Sequence, residues 1–165
     1  MSSACRWSFT PFVWMGLLFL IGGCTPLALY EKSVPFPQQA WKSDYIPAFD
    51  FVIGDTSARY EVAIVFRHRD RYHYNNIWLR ISITDPKAST HSFDTDLLLG
   101  TNESGWLGTG MDDIYEHRIS LQNELLEKGI SLRQAGTYRF SIEQLMREDP
   151  LEEVMNIGIR VEKKP

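Results

Sequence analysis

The side chains able to do chemistry are few, and most are badly spaced for it. His68-Arg69-Asp70 followed by Asn75 has the spelling of a protein-kinase catalytic loop, H-R-D-x-x-x-x-N. That loop needs a Gly-rich phosphate cover and a metal-holding D-F-G, and the chain has neither. The match falls between two alternating apolar runs, so it reads as a polar connection, with Asn75-Asn76 suited to a turn. Gly108-Thr109-Gly110 lacks the third glycine and the strand-to-helix setting of a dinucleotide fingerprint. His68, His73, His91 and His117 share no ligand spacing on a helix face and read as exposed or hydrogen-bonded histidines. Asp94, Asp96, Asp112 and Asp113 are hard oxygen donors of the kind calcium takes, but the glycine-spaced loop that would gather them is missing. No Ser/His/Asp set and no spaced pair of carboxylates stands out. The expectation is a protein that is not an enzyme, with no catalytic residues, no metal and no cofactor.

One thiol is placed for covalent modification. Leu20-Ile21-Gly22-Gly23-Cys24 closes an apolar run, Phe12 to Ile21, that follows a short segment whose one charged side chain is Arg6. Positive start, apolar middle and small residues at the cut are the layout of a secretory signal peptide. The cysteine directly after two small residues resembles a bacterial lipobox, in which a diacylglyceryl group is attached to sulfur and cleavage leaves the cysteine first. An uncleaved anchor helix would need ~20 apolar residues to cross the hydrocarbon; this run is shorter and ends in Gly-Gly. The expected organisation is therefore a signal peptide over 1–23, lipidation at Cys24, a tether over 24–40 and one domain over 41–165. Pro26, Pro35 and Pro37 suggest the tether, because proline breaks regular ladders and favours extended backbone.

Composition bounds what the domain can be. Of 165 residues, 44% are hydrophobic and 23% charged, which is globular usage. The net charge of −4 becomes −5 once Arg6 is removed, and that mild acidity argues against nucleic acid as a partner. The two cysteines are Cys5 and Cys24, so the body of the chain has no disulfide framework and must be held by its core.

The elements that must position any site are strands. Phe49, Phe51 and Ile53 alternate with polar or opposite-facing neighbours, as do Tyr60, Val62, Ile64 and Phe66. The same period recurs at Ile77 to Ile83, Phe93 to Leu99, Tyr138 to Ile142 and Ile157 to Val161. Period two, with turn residues such as Gly54-Asp55 and Asp85-Pro86 between runs, predicts antiparallel sheets with one buried face each. Two half-buried sheets must cover each other, so the fold class is all-β, an antiparallel β-sandwich of immunoglobulin-like or jelly-roll-like kind. Short helical turns are expected at Leu121 to Lys128 and at Glu143 to Arg147.

Gly105 to Ile114 stands outside this pattern: Trp106, Leu107 and Met111 are large apolar groups in a glycine-rich stretch. Gly105, Gly108 and Gly110 would let such a loop adopt backbone conformations closed to other residues and present its side chains. Trp106, Leu107 and Met111 are thus the candidate interaction residues, with a Trp106 that plugs the sandwich end as the competing reading.

With that loop the residues begin to resemble a known family. The lipobox, Trp41 after a proline-containing segment, Asn76-Ile77-Trp78-Leu79, and Trp106-Leu107-Gly108-x-Gly110 before Asp113-Ile114 are shared features. So are Gly136-Thr137-Tyr138-x-Phe140-Ser141-Ile142-Glu143-Gln144, Met146 to Leu151, and Ile157-Gly158-Ile159-Arg160-Val161-Glu162-Lys163. Together they resemble the GldH family of gliding motility lipoproteins from the Bacteroidota. The resemblance implies a lipid-anchored, non-enzymatic component of the gliding machinery tied to the type IX secretion apparatus. It implies no catalytic residues, membrane attachment through Cys24, and envelope proteins of that machinery as partners. Surface-exported lipoproteins of the phylum resemble one another in an acidic patch after the cysteine; Thr25 to Tyr30 has none, so the expected position is the outer membrane, facing the periplasm. A function of another class is a glycan- or peptidoglycan-binding module gripping sugars through exposed Trp106 and Trp78.

Overall fold

A computed structural model describes residues 29–164; the signal segment and Cys24 lie outside them. Thirteen strands, one 3-10 turn and one helix follow in order. The strands are β1 (Leu29–Pro35), β2 (Ala40–Trp41), β3 (Ala48–Ile53), β4 (Arg59–Arg69), β5 (Asn76–Thr84), β6 (Thr90–Leu98) and β7 (Gly100–Thr101). They continue with β8 (Gly105–Trp106), β9 (Thr109–Met111), β10 (Ile114–Ser120), β11 (Gly136–Gln144), β12 (Leu151–Glu152) and β13 (Val154–Lys164). Helix α1 (Gln122–Glu127) is one and a half turns long. One sheet runs β1-β13-β4-β10-β9 and the other β3-β11-β5-β6, with two-stranded ribbons β12-β2 and β7-β8 beside them. Every pairing is antiparallel. The all-β sandwich follows as expected.

Register explains why the core closes. Phe49 and Phe51 lie opposite Phe140 and Tyr138; Phe140 and Ile142 lie opposite Ile83 and Ile81. In the facing sheet Val62, Ile64 and Phe66 oppose Val161, Ile159 and Ile157. All of these are buried, so each period-two run puts its apolar set on the shared inner face.

The outer faces are held by polar ladders. On the β5–β6 side, Arg80 grips both oxygens of Asp94 at 2.7 and 3.0 Å, Asn76 donates to Asp96 at 2.7 Å, and Ser82 meets Ser92 at 2.8 Å. On the other sheet Arg118 joins Glu116 at 2.9 Å and Glu31 at 3.6 Å, Arg160 joins Glu31 and Glu162, and Lys164 joins Glu61 at 3.1 Å. This net lies on the face that also carries Ala63, Val65 and Gly158, and Val65 is buried there.

Three expectations change. The tether over 24–40 gives way from residue 29 onward: Leu29–Pro35 pairs with β13 along its whole length as an edge strand. Pro35 ends that strand at the sheet edge, where a missing N–H is tolerated. Phe36 then buries itself, stacked on Trp41 at 4.8 Å. The helical turn expected at Leu121 to Lys128 is α1, but the one at Glu143 to Arg147 is absent. There β11 runs through Gln144, and the Leu145 N–H continues the ladder by donating to the Trp78 carbonyl at 2.9 Å. Finally, Ile114 does not end a loop: it begins β10, a full seven-residue strand paired to β4. Its sequence, IYEHRIS, buries a histidine where the period-two pattern would show an aliphatic residue.

Candidate functional site

The Gly105 to Ile114 stretch is the place where the two sheets are tied together. Trp106 pairs with Gly100 in the β7–β8 ribbon beyond β6, the Leu107 N–H donates to the Leu99 carbonyl at 2.8 Å, and Thr109–Met111 then joins β10. Gly105, at φ 67°, is the residue here that needs glycine's backbone freedom. Gly108 and Gly110 are small for a different reason. A Cβ on Gly108 would sit 2.5 Å from the Glu116 carbonyl oxygen and 2.9 Å from His117 Cε1, and one on Gly110 would sit 2.8 Å from the Tyr115 ring. Their role is close approach, not the conformational freedom expected of them.

Trp106 turns inward. Its ring packs edge-on to His68, 4.4 Å between centroids, with Tyr115 at 5.9 Å and Tyr72 at 6.3 Å. Its Nε1–H donates to Asp70 Oδ1 at 2.9 Å, so the polar tip is satisfied while the ring is covered. Trp106 is therefore seated as a plug, its ring against the core. Leu107 and Met111 point out instead, 52% and 74% exposed, and Leu98 at the end of β6 is 53% exposed. These three border an open groove of 870 Å³ that also touches Ile114, Ile119 and Met155 and carries Arg67, Glu116 and Arg118. Of the three candidate interaction residues, Leu107 and Met111 line this groove and Trp106 does not.

Beneath Trp106 lies what sequence reading missed. His68 and His117 are fully buried, at 0% and 3% exposure, their rings stacked and their Nε2 atoms 2.9 Å apart. His68 Nδ1 is 2.7 Å from the Arg69 carbonyl oxygen, which can only accept. The proton on His68 is thus on Nδ1, its Nε2 holds a lone pair, and His117 Nε2–H must donate to it. That arrangement keeps both rings neutral. Burial pushes both imidazoles below their ordinary value: His117 to about 4, with the His68 ring adding to the effect, and His68 against the opposing pull of the Arg69 carbonyl and the Asp70 charge. Position 68 is the fifth inward position of an alternating run that begins at Tyr60, and that parity was the one signal available. The kinase-like spelling at His68-Arg69-Asp70 has a structural explanation: ring, ion pair and Trp106 acceptor fall on three successive residues.

The four aspartates are not gathered. Asp94 and Asp96 lie on the outer face of β6 with Arg80 and Asn76, and Asp113 is paired with Arg69 where β9 turns into β10. The Arg69 guanidinium holds the Asp113 carboxyl below the usual carboxylate range. Among the described residues no three His, Cys, Asp or Glu side chains are grouped to hold a metal ion. Trp78 is 44% exposed on the outer face of β5, whereas Trp106 is inside, so the two do not form one aromatic platform. Among the described residues no helix is long and apolar enough to cross a membrane.

The described body coincides with a family match. The GldH lipoprotein family matches residues 28–161. A gliding motility lipoprotein GldH homolog of Christiangramia forsetii is 24% identical over 165 residues, covering 96% of this chain and 98% of that protein. Gliding motility lipoprotein GldH of Flavobacterium johnsoniae is 25% identical over 132 residues, 76% of this chain and 79% of its own. No solved structure matches the chain.

Proposed function

The chain belongs to the GldH lipoprotein family, and from that premise we propose that it is a lipid-anchored, non-enzymatic assembly module of the gliding machinery, linked to type IX secretion. The observation that carries this reading is the extent of the family match, which takes in both sheets and the Trp106 tie between them. A diacylglyceryl group on Cys24 anchors the protein in the outer membrane with the sandwich facing the periplasm. β1 starts five residues after that cysteine. The domain thus sits against the bilayer, and its partners are envelope proteins within reach of the membrane surface. The exposed Leu107 and Met111, on a stretch tied to the core on both sides, form the contact surface.

Replacement of Cys24 tests the anchor and the function together. Two or more acyl chains, at ~0.8 kcal/mol per buried CH₂, hold a protein firmly where one chain does not. Cys24→Ser is expected to move the protein from the membrane fraction to the soluble fraction and to fail in restoring surface spreading to a deletion strain of a gliding host. Persistence in the membrane pellet after a high-salt wash would overturn the anchor, and full spreading by a deletion strain would overturn the motility role.

A further inference from the structure

We propose that the free edge of β10, at Arg118 to Ser120, accepts an extended segment of a partner protein as an added strand, with apolar residues on one side and a carboxylate on the other. This rests on the assembly-module reading and names the chemistry of the partner.

Hydrogen-bond parity exposes the edge. At one end of the β4–β10 ladder the Asp70 N–H donates to the Asp113 carbonyl at 2.7 Å; at the other the Leu121 N–H donates to the Val62 carbonyl at 2.9 Å. In an antiparallel pair such bonded positions recur every second residue. Odd-numbered residues 113–121 therefore turn their backbone groups to β4, and Glu116, Arg118 and Ser120 turn theirs away from it. Glu116 is met by Thr109 of β9, where the β9 pairing ends. Gly108 lies against the Glu116 carbonyl as the chain leaves this sheet for Leu99. Among the described residues no strand pairs with the outward N–H and C=O groups of Arg118 and Ser120. They face the 870 Å³ groove.

The groove specifies what would fill it. A strand laid beside Arg118 to Ser120 would continue the line of β9. Its inward side chains would meet Ile119, Leu107 and Leu98, two of which are about half exposed. Its outward side chains would meet Arg118 and Arg67, which are 50% and 45% exposed and share Glu116, with Arg118 also 3.6 Å from Glu31. Among the residues lining the groove two guanidinium groups stand against one carboxylate, and the complement is an acidic residue. Main-chain bonds give such an added strand its affinity, and alternate side chains its selectivity. A second copy of this chain fits less well, because antiparallel pairing centred on Arg118 would set two arginines opposite each other.

The test places a photo-crosslinking amino acid at Leu107 or Met111 of the full-length chain in intact cells, with Val52 as a control position. The expected result is adducts from 107 and 111, not from 52, in which one segment of one protein is labelled at alternate residues with an acidic residue between or beside them. Ser120→Pro removes an outward N–H that the fold does not use, together with the Ser120 Oγ that accepts from the Gln122 N–H at 3.2 Å. It is expected to reduce adduct yield about tenfold, equivalent to ~1.4 kcal/mol, with the chain still folded; Arg118→Glu tests the charge separately. If Ser120→Pro unfolds the chain, Arg118→Glu on its own must give the same loss. Adducts to a second copy, to glycan or to lipid, or full yield with both variants, would overturn the proposal. Adducts to envelope proteins arising only from positions elsewhere on the sandwich would overturn it while leaving the assembly-module reading standing.

Discussion

The middle of the sandwich and the histidine pair under Trp106 are both buried, but by different chemistry. In the middle, Phe49, Phe51, Tyr138, Phe140 and Ile81 fill the gap between sheets with hydrocarbon, and the buried Tyr138 hydroxyl accepts from the Gln134 N–H at 3.1 Å. At the end, the same inward positions hold His68 and His117 under Trp106, with Tyr72 and Tyr115 around them. The apolar layer tolerates any tight packing, because dispersion and water exclusion are not directional. The polar corner demands one tautomer of each ring and one donor direction. Burial therefore does two jobs here: bulk adhesion in the middle, and fixed orientation at the end where the chain crosses between sheets.

The contrast can be broken most sharply in the apolar layer. Phe140→Ala empties a site at 0% exposure and is expected to cost about 3–5 kcal/mol of unfolding free energy in urea titration. A loss under ~1 kcal/mol would mean that the sheets do not pack through this layer.

The polar corner should respond to acid where the middle does not. His117 is held to about 4 in the folded protein and returns to ~6.5 on unfolding. The unfolded chain thus binds more protons between these values, and stability is lost as pH falls from 6.5 toward 4. At 1.36 kcal/mol per pH unit the loss approaches ~3 kcal/mol, with His68 shifted in the same direction. Denaturant titrations at pH 7.5 and 5 read the slope, and a His68→Leu/His117→Phe double variant should flatten it. An equal slope in that variant would assign the acid sensitivity to carboxylates.

Trp106→Ala tests the lid of that corner. The ring is half-buried and its Nε1–H is bonded to Asp70, so a loss of about 2–3 kcal/mol is expected, less than for a fully enclosed aromatic. An unchanged melting temperature would return Trp106 to the list of outward contacts. At the small end, Arg139→Ala removes a guanidinium 59% exposed and 3.8 Å from Asp50, and should change stability by less than ~1 kcal/mol. A larger loss there would undermine the alternation that places Phe140 inside and Arg139 outside.

Local periodicity by itself determined the sandwich, because a strand's side chains alternate whatever it pairs with. The apolar sets of β3 to β6, β11 and β13 are therefore legible as inner faces before any partner is known. The family resemblance was legible for the same reason: Trp106-Leu107-Gly108 and Ile157-Gly158-Ile159 are contiguous. Pairing in three dimensions decided the rest. Leu29–Pro35 carries Glu31, Lys32 and a terminal proline, and becomes a strand through β13, whose Gly158 lets Ser33 approach; a Cβ there would sit 2.7 Å from the Ser33 Cα. His68 and His117 stand 49 residues apart, and although the parity of β4 places position 68 inward, nothing local names the other ring as its partner. Each is tolerated inside because the two Nε2 atoms meet in one hydrogen bond, and that partnership exists once β4 and β10 lie side by side. The open edge at Arg118 to Ser120 is likewise a property of sheet order, since no single strand's sequence states which of its sides will go unpaired.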